Sequence, residues 1–343
     1  MRRAALPEHR FGRALTLALL VLLAALLISS VVGAAGIDPL SVSVTLINEL
    51  PGVHLPHALD PLDRTLLLEI RLPRLILAGL VGGVLAVAGA GYQGVFRNPL
   101  VDSGLLGASA GAGLGATLVI VGTGSSDGAV VPVAAFVGAL LGVGFAYLAG
   151  AGRRDVSTLL LAGIAVSMFL SAVQTFVLQR STQNLQAVYS WLLGSVSGAT
   201  WHRVLIMLPY AVVGCLGVFL HGRHLDLLAV GDEEATSLGM PAARVRLLVI
   251  AASALAAASA VAVSGLIGFV GVVIPHVARR LAGSSYRRVL PLSLVLGAAF
   301  LMLVDTVART IVSPGELPIG VVTALIGAPA FVWVLRALRG SAT

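Results

Sequence analysis

The chain of 343 residues is strongly apolar, with 58% hydrophobic residues, only 11% charged residues and a formal net charge of +7. One crossing of a hydrocarbon core takes about 20 apolar residues. Stretches of that length follow one another almost end to end, which excludes an ordinary soluble protein and predicts one transmembrane domain over residues 1–343. All 22 basic residues are arginines scattered between these stretches, which argues against a nucleic-acid surface and, without lysine, excludes a P-loop.

Ten apolar runs separated by polar, glycine or proline breaks predict an all-α, polytopic protein with about ten transmembrane helices. The first run is too long for the core of a secretory signal, so we interpret it as a retained helix. A single helix from Arg246 to Ala282 would be about 55 Å long, so we expect the chain to fold back at Ser264-Gly265. The runs are residues 14–34, 72–92, 100–121, 129–150, 157–178, 203–221, 246–263, 266–282, 289–309 and 317–338.

The distribution of arginine predicts the orientation, because cytoplasmic segments of membrane proteins retain positive charge. With the amino terminus inside, sixteen arginines fall on inner segments and six on outer ones, so both termini are predicted to be cytoplasmic. Outer residues 36–70 form a polar cap, and residues 180–202 suggest a short helix partly in the membrane. The six outer arginines are Arg64, Arg71, Arg74, Arg180, Arg203 and Arg309.

Glycine-rich motifs indicate packing instead of nucleotide chemistry. Gly89-Ala-Gly91-Tyr-Gln-Gly94 matches the dinucleotide fingerprint, but that motif needs a preceding strand, whereas this one ends a predicted transmembrane helix. Spacings such as Gly107/Gly111 and Gly138/Gly142 let helix backbones approach closely in lipid. We therefore predict tightly packed helices.

Two histidine pairs, His54/His57 and His221/His224, would need a third ligand to hold a metal. Neither pair has neighbouring cysteines or an HExxH frame, so loop histidines are the simpler interpretation. No metal site is predicted.

Asp305 lies near the outer end of the ninth predicted helix. An intramembrane carboxylate is a candidate proton or ion site, which keeps a proton-coupled secondary transporter open as an alternative. Arg309 is its i+4 neighbour, and a structural ion pair between them is the simpler interpretation. An intramembrane enzyme is disfavoured, because the sequence has no HExxH or GxSxG and no paired membrane carboxylates at catalytic spacing.

Arg64, Arg71 and Arg74 lie outside, against the positive-inside trend. Together with Arg309 they could form a cationic rim that steers an acidic partner. Contact with lipid headgroups explains these arginines equally well.

Acidic residues cluster on the inner side, in the loop after the sixth predicted helix. Asp232 to Glu234 suit the start of a short cytoplasmic helix, whose dipole favours acids there. Leu238 and Met240 are expected to be exposed beside it and to dock on a partner. An ordinary solvated loop is the alternative.

Six blocks lie in order along almost the whole chain. They are Arg71 to Arg74; Phe96 to Leu100 with Gly104 to Gly107; Trp191 to Ser195; Gly231 to Gly239; Ser264 to Gly271 with Pro275 to Arg279; and Glu316 to Val322 with Gly327 to Pro329. In these blocks the sequence resembles the permeases of binding-protein-dependent ABC importers for iron-siderophores, haem and vitamin B12.

The resemblance implies a ten-helix permease in the cytoplasmic membrane of a bacterium, surrounded by lipid. It would pair with a second copy or a close paralogue, two cytoplasmic ATPase subunits and an external substrate-binding protein. It implies no cofactor on this chain, with ATP and Mg²⁺ on the ATPase, and no bond chemistry. Iron(III)-siderophore is the preferred cargo because it is the commonest in the family, with haem or cobalamin as the alternative.

The resemblance also assigns roles to residues. Arg71, Arg74 and Arg309 match external arginines that receive carboxylates of the binding protein; Arg64, whose spacing to Arg71 is shifted, is a fourth candidate. The segment that docks into the ATPase is matched by Gly231, Asp232, Glu233, Glu234, Ala235, Leu238, Gly239 and Met240. The inner gate is matched by Asn98, Pro99, Leu100, Ser157 and Thr158.

Overall fold

The computed structural model describes residues 8–32, 38–49, 52, 55–125, 128–150, 156–312 and 315–339, and only the backbone of residues 8, 9, 156, 182 and 333–339. No strand occurs among these residues. The α-helices are α1 (Glu8–Val31), α2 (Pro39–Asn48), α3 (Pro61–Thr65), α4 (Leu72–Phe96), α5 (Ala108–Thr123), α6 (Val130–Gly150), α7 (Val156–Gln179), α8 (Leu185–Leu192), α9 (Trp201–Leu220), α10 (Gly222–Leu228), α11 (Asp232–Ser237), α12 (Ala242–Ser264), α13 (Val270–Ala282), α14 (Tyr286–Thr310) and α15 (Ile319–Arg339), and a π-helical segment, Leu66–Arg71, joins α3 to α4.

Seven helical stretches in the described part of the chain are long and apolar enough to cross a membrane. Each of the ten predicted runs overlaps a helix, but three of these helices, α5, α13 and α15, fall outside the seven. The seven stretches are Arg10–Val31, Pro61–Phe96, Val130–Gly150, Ser157–Gln179, Trp201–Leu220, Ala242–Ser264 and Tyr286–Thr310.

Helix α4 lies at the centre of the bundle, and every residue from 81 to 96 is buried. Helices α9, α12, α13 and α14 pack around it. Its glycines permit this, because a Cβ on Gly82 would meet the carbonyl oxygen of Gly297 on α14, and one on Gly89 would meet the backbone of Gly271 on α13. The prediction of close packing in the glycine-rich motif is therefore confirmed, and small residues at the contact let the backbones touch.

Close contacts between glycines also join α5 to α6. A Cβ on Gly111 would meet the carbonyl oxygen of Gly138, and one on Gly142 would meet that of Gly107. The predicted small-residue spacings therefore lie in a helix contact, as expected.

The chain folds back between α12 and α13, as predicted. Gly265 has a φ of 68° immediately after α12 ends, and Phe269 is left-handed at 69° just before α13 begins. The backbone N–H of Phe269 donates to the Asp102 carboxylate over 3.3 Å. The Asp102 side chain, from the segment between α4 and α5, thus accepts a hydrogen bond from a backbone N–H that has no partner within a helix at this break.

The third predicted helix begins later than expected, at Ala108 instead of residue 100. The segment before it is irregular, because the Asn98 side chain accepts from the N–H of Leu100 over 3.0 Å, a local bond that competes with helix formation. Gly107, with a φ of 87°, then sets the start of α5.

The outer and interfacial segments contain short helices. α2 and α3 lie in the predicted polar cap, each begun by an aspartate whose side chain accepts a backbone N–H. The short helix predicted within residues 180–202 is α8, and the Trp201 indole after it donates to the carbonyl of Leu68 over 3.0 Å.

Candidate functional sites at the two ends of the helix bundle

Arg71 and Arg309 meet at the carboxyl end of α1. The last carbonyls of a helix have no partner within the helix, and here they find partners elsewhere. Arg71 donates to the carbonyls of Ser30 over 2.9 Å and Val31 over 3.3 Å, and Arg309 donates to that of Ser29. Arginine is favourable at this position because its charge complements the negative end of the helix dipole.

Arg74 binds two carboxylates at once. Its Nε and Nη2 donate to Asp305 over 2.8–3.1 Å, and its Nη1 and Nη2 donate to Glu316 over 2.8 and 3.0 Å. The Asp305 side chain is fully buried, whereas that of Glu316 is 40% exposed. The guanidinium lowers the pKa of Glu316 below its ordinary value, mainly through its hydrogen bonds.

The outer cluster, which we define as Arg71, Arg74, Asp305, Arg309 and Glu316, is mixed in sign and not a purely cationic rim. The principal partner of Asp305 is Arg74 on α4; the Nε of Arg309, its predicted partner, lies 3.7 Å from the carboxylate. Sequence reasoning therefore found the three arginines and missed Glu316. The only signal for it was its place at the head of the Glu316 to Val322 block.

Arg64 has a different partner. Its Nη2 lies 2.6 Å from the Glu49 carboxylate next to α2, and both side chains are about half exposed. Of the four arginines predicted to dock a partner, three thus share the outer cluster, and Arg64 forms a separate surface pair.

The other end of α4 carries the predicted ATPase-docking segment. Residues Asp232–Ser237 form the predicted short helix, α11, with acids filling its first turn. Glu233, Glu234 and Gly239 are exposed, and Leu238 is 71% exposed.

One prediction about this segment is wrong. Met240 is only 5% exposed, because the chain turns at Gly239, which has a φ of 81°, and directs Met240 into the core with Ala235. Val230, which was not predicted, is exposed instead at 71%. The large exposed side chains of this segment are therefore Val230, Glu233, Glu234 and Leu238.

The Asp232 side chain contacts neighbouring helices of this chain. Its carboxylate accepts from Arg246 on α12 over 2.6 and 2.8 Å, and lies 3.7 Å from Arg97. Arg97 is the left-handed residue, with a φ of 50°, that ends α4 and immediately precedes Asn98. Through its ion pair with Arg97, Asp232 therefore connects α11 to the residue next to Asn98, the first predicted gate residue.

Two of the five predicted gate residues line cavities, and these cavities are different. Leu100 lines an open cavity of about 610 Å³ together with Asp102 and Phe269. Thr158 lines a separate cavity of about 560 Å³ between α6 and α7. Asn98 caps its own turn, and Pro99 and Ser157 are exposed. The structure does not bring the two halves of the predicted gate to one cavity.

No group of three metal-binding side chains occurs among the residues whose positions are described. The rings of His221 and His224 lie 5.4 Å apart, and the Nδ1 of His221 is 2.7 Å from the carbonyl oxygen of Gly217. His54 lies outside the described residues.

Comparisons with known proteins agree with this architecture. The model of the FecCD transport family matches residues 20–337. The cobalamin import system permease protein of Halobacterium salinarum is 40% identical over 78% of this chain and 72% of its own. The Fe(3+)-citrate import system permease protein of Bacillus subtilis is 38% identical over 93% of this chain and 95% of its own.

A solved structure has the same fold. It is described as an inward-facing conformation of a metal-chelate type ABC transporter, and it superposes with a TM-score of 0.82 at 31% identity over 95% of this chain and 99% of that one. The likeness to this structure and the family match extend over nearly the whole chain. The chain therefore belongs to the FecCD transport family, as an ABC transporter permease that crosses the cytoplasmic membrane several times.

Proposed function

We propose that the chain is the transmembrane subunit of an ABC importer that moves an iron(III)-siderophore into the cell with ATP hydrolysed by a separate ATPase. ATP and Mg²⁺ bind to that ATPase, and this chain has no nucleotide site of its own. An external binding protein delivers the cargo, and a second permease copy or close paralogue completes the pathway.

The observation that carries the proposal is that charged groups suited to two different partners lie at opposite ends of one buried helix. Three arginines meet near the start of α4, and acids with exposed apolar neighbours follow its other end on α11. Helix α4 has 25 residues and is about 37 Å long, which is enough to separate the two groups across a bilayer. A partner on each side matches an importer with an external binding protein and an internal ATPase.

We also propose that ten segments cross the membrane and that both termini are cytoplasmic. Two of the helices that are too short to be among the seven membrane-length stretches, α5 and α13, are each preceded by irregular backbone, at residues 97–107 and 265–269. Such backbone is tolerated at membrane depth when it is buried in protein, so each segment can still span. The arginine distribution supports the orientation.

The cargo is the least constrained part of the proposal. The two relatives described above carry cobalamin and Fe(3+)-citrate in their names, at 40% and 38% identity. The 610 Å³ cavity is lined mainly by apolar side chains, with Asp102, Ser167, Ser171 and Gln174 among its few polar groups. We therefore expect the binding protein to select the cargo, and haem or cobalamin is the alternative.

A proton-coupled transporter is not favoured. Asp305, the carboxylate that would carry the proton, is hydrogen-bonded to Arg74 and has Arg309 nearby. Asp305 is thus already engaged in a buried ion pair, and its release to carry a proton would leave Arg74 without that partner.

The experiment is uptake into proteoliposomes that contain the permease with its ATPase, measured with radiolabelled iron(III)-siderophore, haem and cobalamin in the presence of the binding protein. We expect siderophore uptake that requires internal ATP. Uptake without ATP that collapses with the proton gradient would overturn the ABC assignment. ATP-dependent uptake of cobalamin or haem alone would change only the cargo.

The ATPase contact has its own test. Glu233→Arg combined with Glu234→Arg should abolish stimulation of ATP hydrolysis by cargo-loaded binding protein, because both acids are exposed on α11. Glu69→Arg, at an exposed acid near the start of α4, is the matched control and should leave stimulation intact. Normal stimulation in the double variant would place the ATPase contact elsewhere.

A further inference from the structure

Both carboxylate-binding edges of the Arg74 guanidinium are occupied within this chain. A guanidinium can hold a carboxylate with two hydrogen bonds at its Nε edge or at its terminal edge. Asp305 takes the first edge and Glu316 takes the second. A carboxylate from a docking partner therefore finds no free edge on Arg74 and must displace one of the two.

The two carboxylates differ in how easily they can leave. Asp305 is fully buried within α14, and its release would strand a charge inside the bundle. Glu316 is 40% exposed and lies on the segment between α14 and α15, so water can solvate it at once. Glu316 is the carboxylate that an incoming acid would replace.

We propose that Glu316 is an internal competitor of the docking partner: it occupies the edge of Arg74 that a partner's carboxylate takes, and docking exchanges one carboxylate for the other. The inference rests on the proposed docking at the outer cluster. Locally the exchange replaces one charge-assisted pair by another. Glu316 therefore weakens docking, and it also keeps Arg74 paired when no partner is present.

The effect of releasing Glu316 would be transmitted to the 610 Å³ cavity through a short series of backbone hydrogen bonds. Next to Glu316, the Leu317 N–H donates to Ala308 over 2.9 Å, and Gly320 N–H donates to Leu193 over 3.0 Å. Two residues on, the Ser195 N–H donates to the carbonyl of Ser264, where α12 ends. Leu266 of the following break lines the 610 Å³ cavity. The exchange thus couples the outer surface to the wall of the pathway.

The first test measures binding of a fluorescent hexaglutamate peptide to the full chain in phosphatidylcholine nanodiscs, which present no net lipid charge. Glu316→Gln frees one edge of Arg74 and should tighten binding about tenfold, the scale of a hydrogen bond to a charged group. Glu49→Gln is the matched control: it removes the same charge from the exposed pair with Arg64 and should change binding less than about twofold.

Arg74→Lys separates the inference from the proposed docking. Lysine keeps the charge that neutralises Asp305 but offers no second edge, so it should weaken binding and cancel the gain of Glu316→Gln in the double variant. If Arg74→Lys binds the peptide as well as wild type, docking at the outer cluster is wrong. If Arg74→Lys weakens binding but Glu316→Gln leaves it unchanged, docking stands and the competitor is refuted.

The second test is hydrogen exchange of the wild-type chain with and without hexaglutamate. We expect faster exchange in peptides that cover residues 315–322 and 191–195 when the probe is bound. Saturated binding with unchanged exchange in both regions would refute the coupling to the pathway wall. Glu316→Asp, whose shorter side chain reaches Arg74 less well, should show intermediate binding and exchange.

Discussion

Replacement of Asp305 by asparagine should destabilise the chain strongly. Asp305 is fully buried and lies 2.8 Å from Arg74, whose side chain is 12% exposed. Asparagine keeps the size but removes the charge, and so leaves Arg74 in the bundle without its buried counter-charge. Breaking a buried ion pair from one side costs about 3–5 kcal/mol, so the thermal midpoint should fall by roughly 10 °C.

A second ion pair of the same chemistry provides the control. Arg64 and Glu49 approach within 2.6 Å, closer than Arg74 and Asp305, but their side chains are 53% and 41% exposed. An exposed pair contributes only about 0–1 kcal/mol, so Glu49→Gln should barely move the midpoint. The comparison tests whether burial, and not distance, determines the contribution.

The chain contains its own reporter for this measurement. Cys215 is the single cysteine and is 8% exposed, so a thiol-reactive fluorophore in detergent solution labels it as the chain unfolds. Equal midpoints for Asp305→Asn and Glu49→Gln would refute the assignment of the buried pair as a stabilising contact.

Three further outcomes are expected. Gly82→Ala should cost about 1–3 kcal/mol because its Cβ would meet backbone on α14, whereas Gly144→Ala, with open space around it, should be neutral or slightly stabilising. Arg74 lowers the pKa of Glu316 in the folded chain, so the ionised Glu316 stabilises the fold above pH 4.5, and this contribution should be lost as pH falls through the lowered pKa. Glu316→Gln has no such contribution, so acid should reduce its free energy of unfolding less than that of wild type. Asp232→Asn should lower cargo moved per ATP about two- to fivefold, the scale of a partly exposed pair, because Arg97 loses its link to α11.

Each of these outcomes has a measurement that can contradict it. Equal thermal midpoints for the two glycine variants would show that the α4–α14 contact is looser than the structure indicates. Identical acid unfolding profiles for wild type and Glu316→Gln would mean that the Glu316 contact to Arg74 does not form in solution. For Asp232→Asn, uptake and ATP hydrolysis are measured together in proteoliposomes. An unchanged ratio of cargo moved to ATP hydrolysed would show that Asp232 does not contribute to coupling.

The helices could be predicted from sequence because each apolar run is a local property. The break at Ser264-Gly265 was also predictable, since an uninterrupted helix would be too long for a bilayer. The start of α5 was not, because Asn98 makes a side-chain bond to its own backbone that hydropathy cannot register. Met240 was misplaced for a similar reason: its burial depends on one left-handed glycine.

The partners of the charged residues could not be predicted. Arg74 and Asp305 are 231 positions apart, and Arg71 and Ser30 are 41 apart. Charge patterns show that an arginine is present but not which carboxylate or carbonyl it meets after folding. For Asp305, the local i+4 neighbour Arg309 was the natural candidate, yet the nearer contact comes from another helix.

The capping of α1 by distant arginines bears on how the chain is assembled during synthesis. α1 leaves the ribosome before α4 and α14, so the carbonyls at its end gain their partners only after Arg71 and then Arg309, 280 positions after Ser29, have been made. Until then the end of α1 must keep these carbonyls in contact with water or headgroups. α1 therefore inserts before the helices that fix its outer end, and truncation before α14 would leave that end without its contact to Arg309.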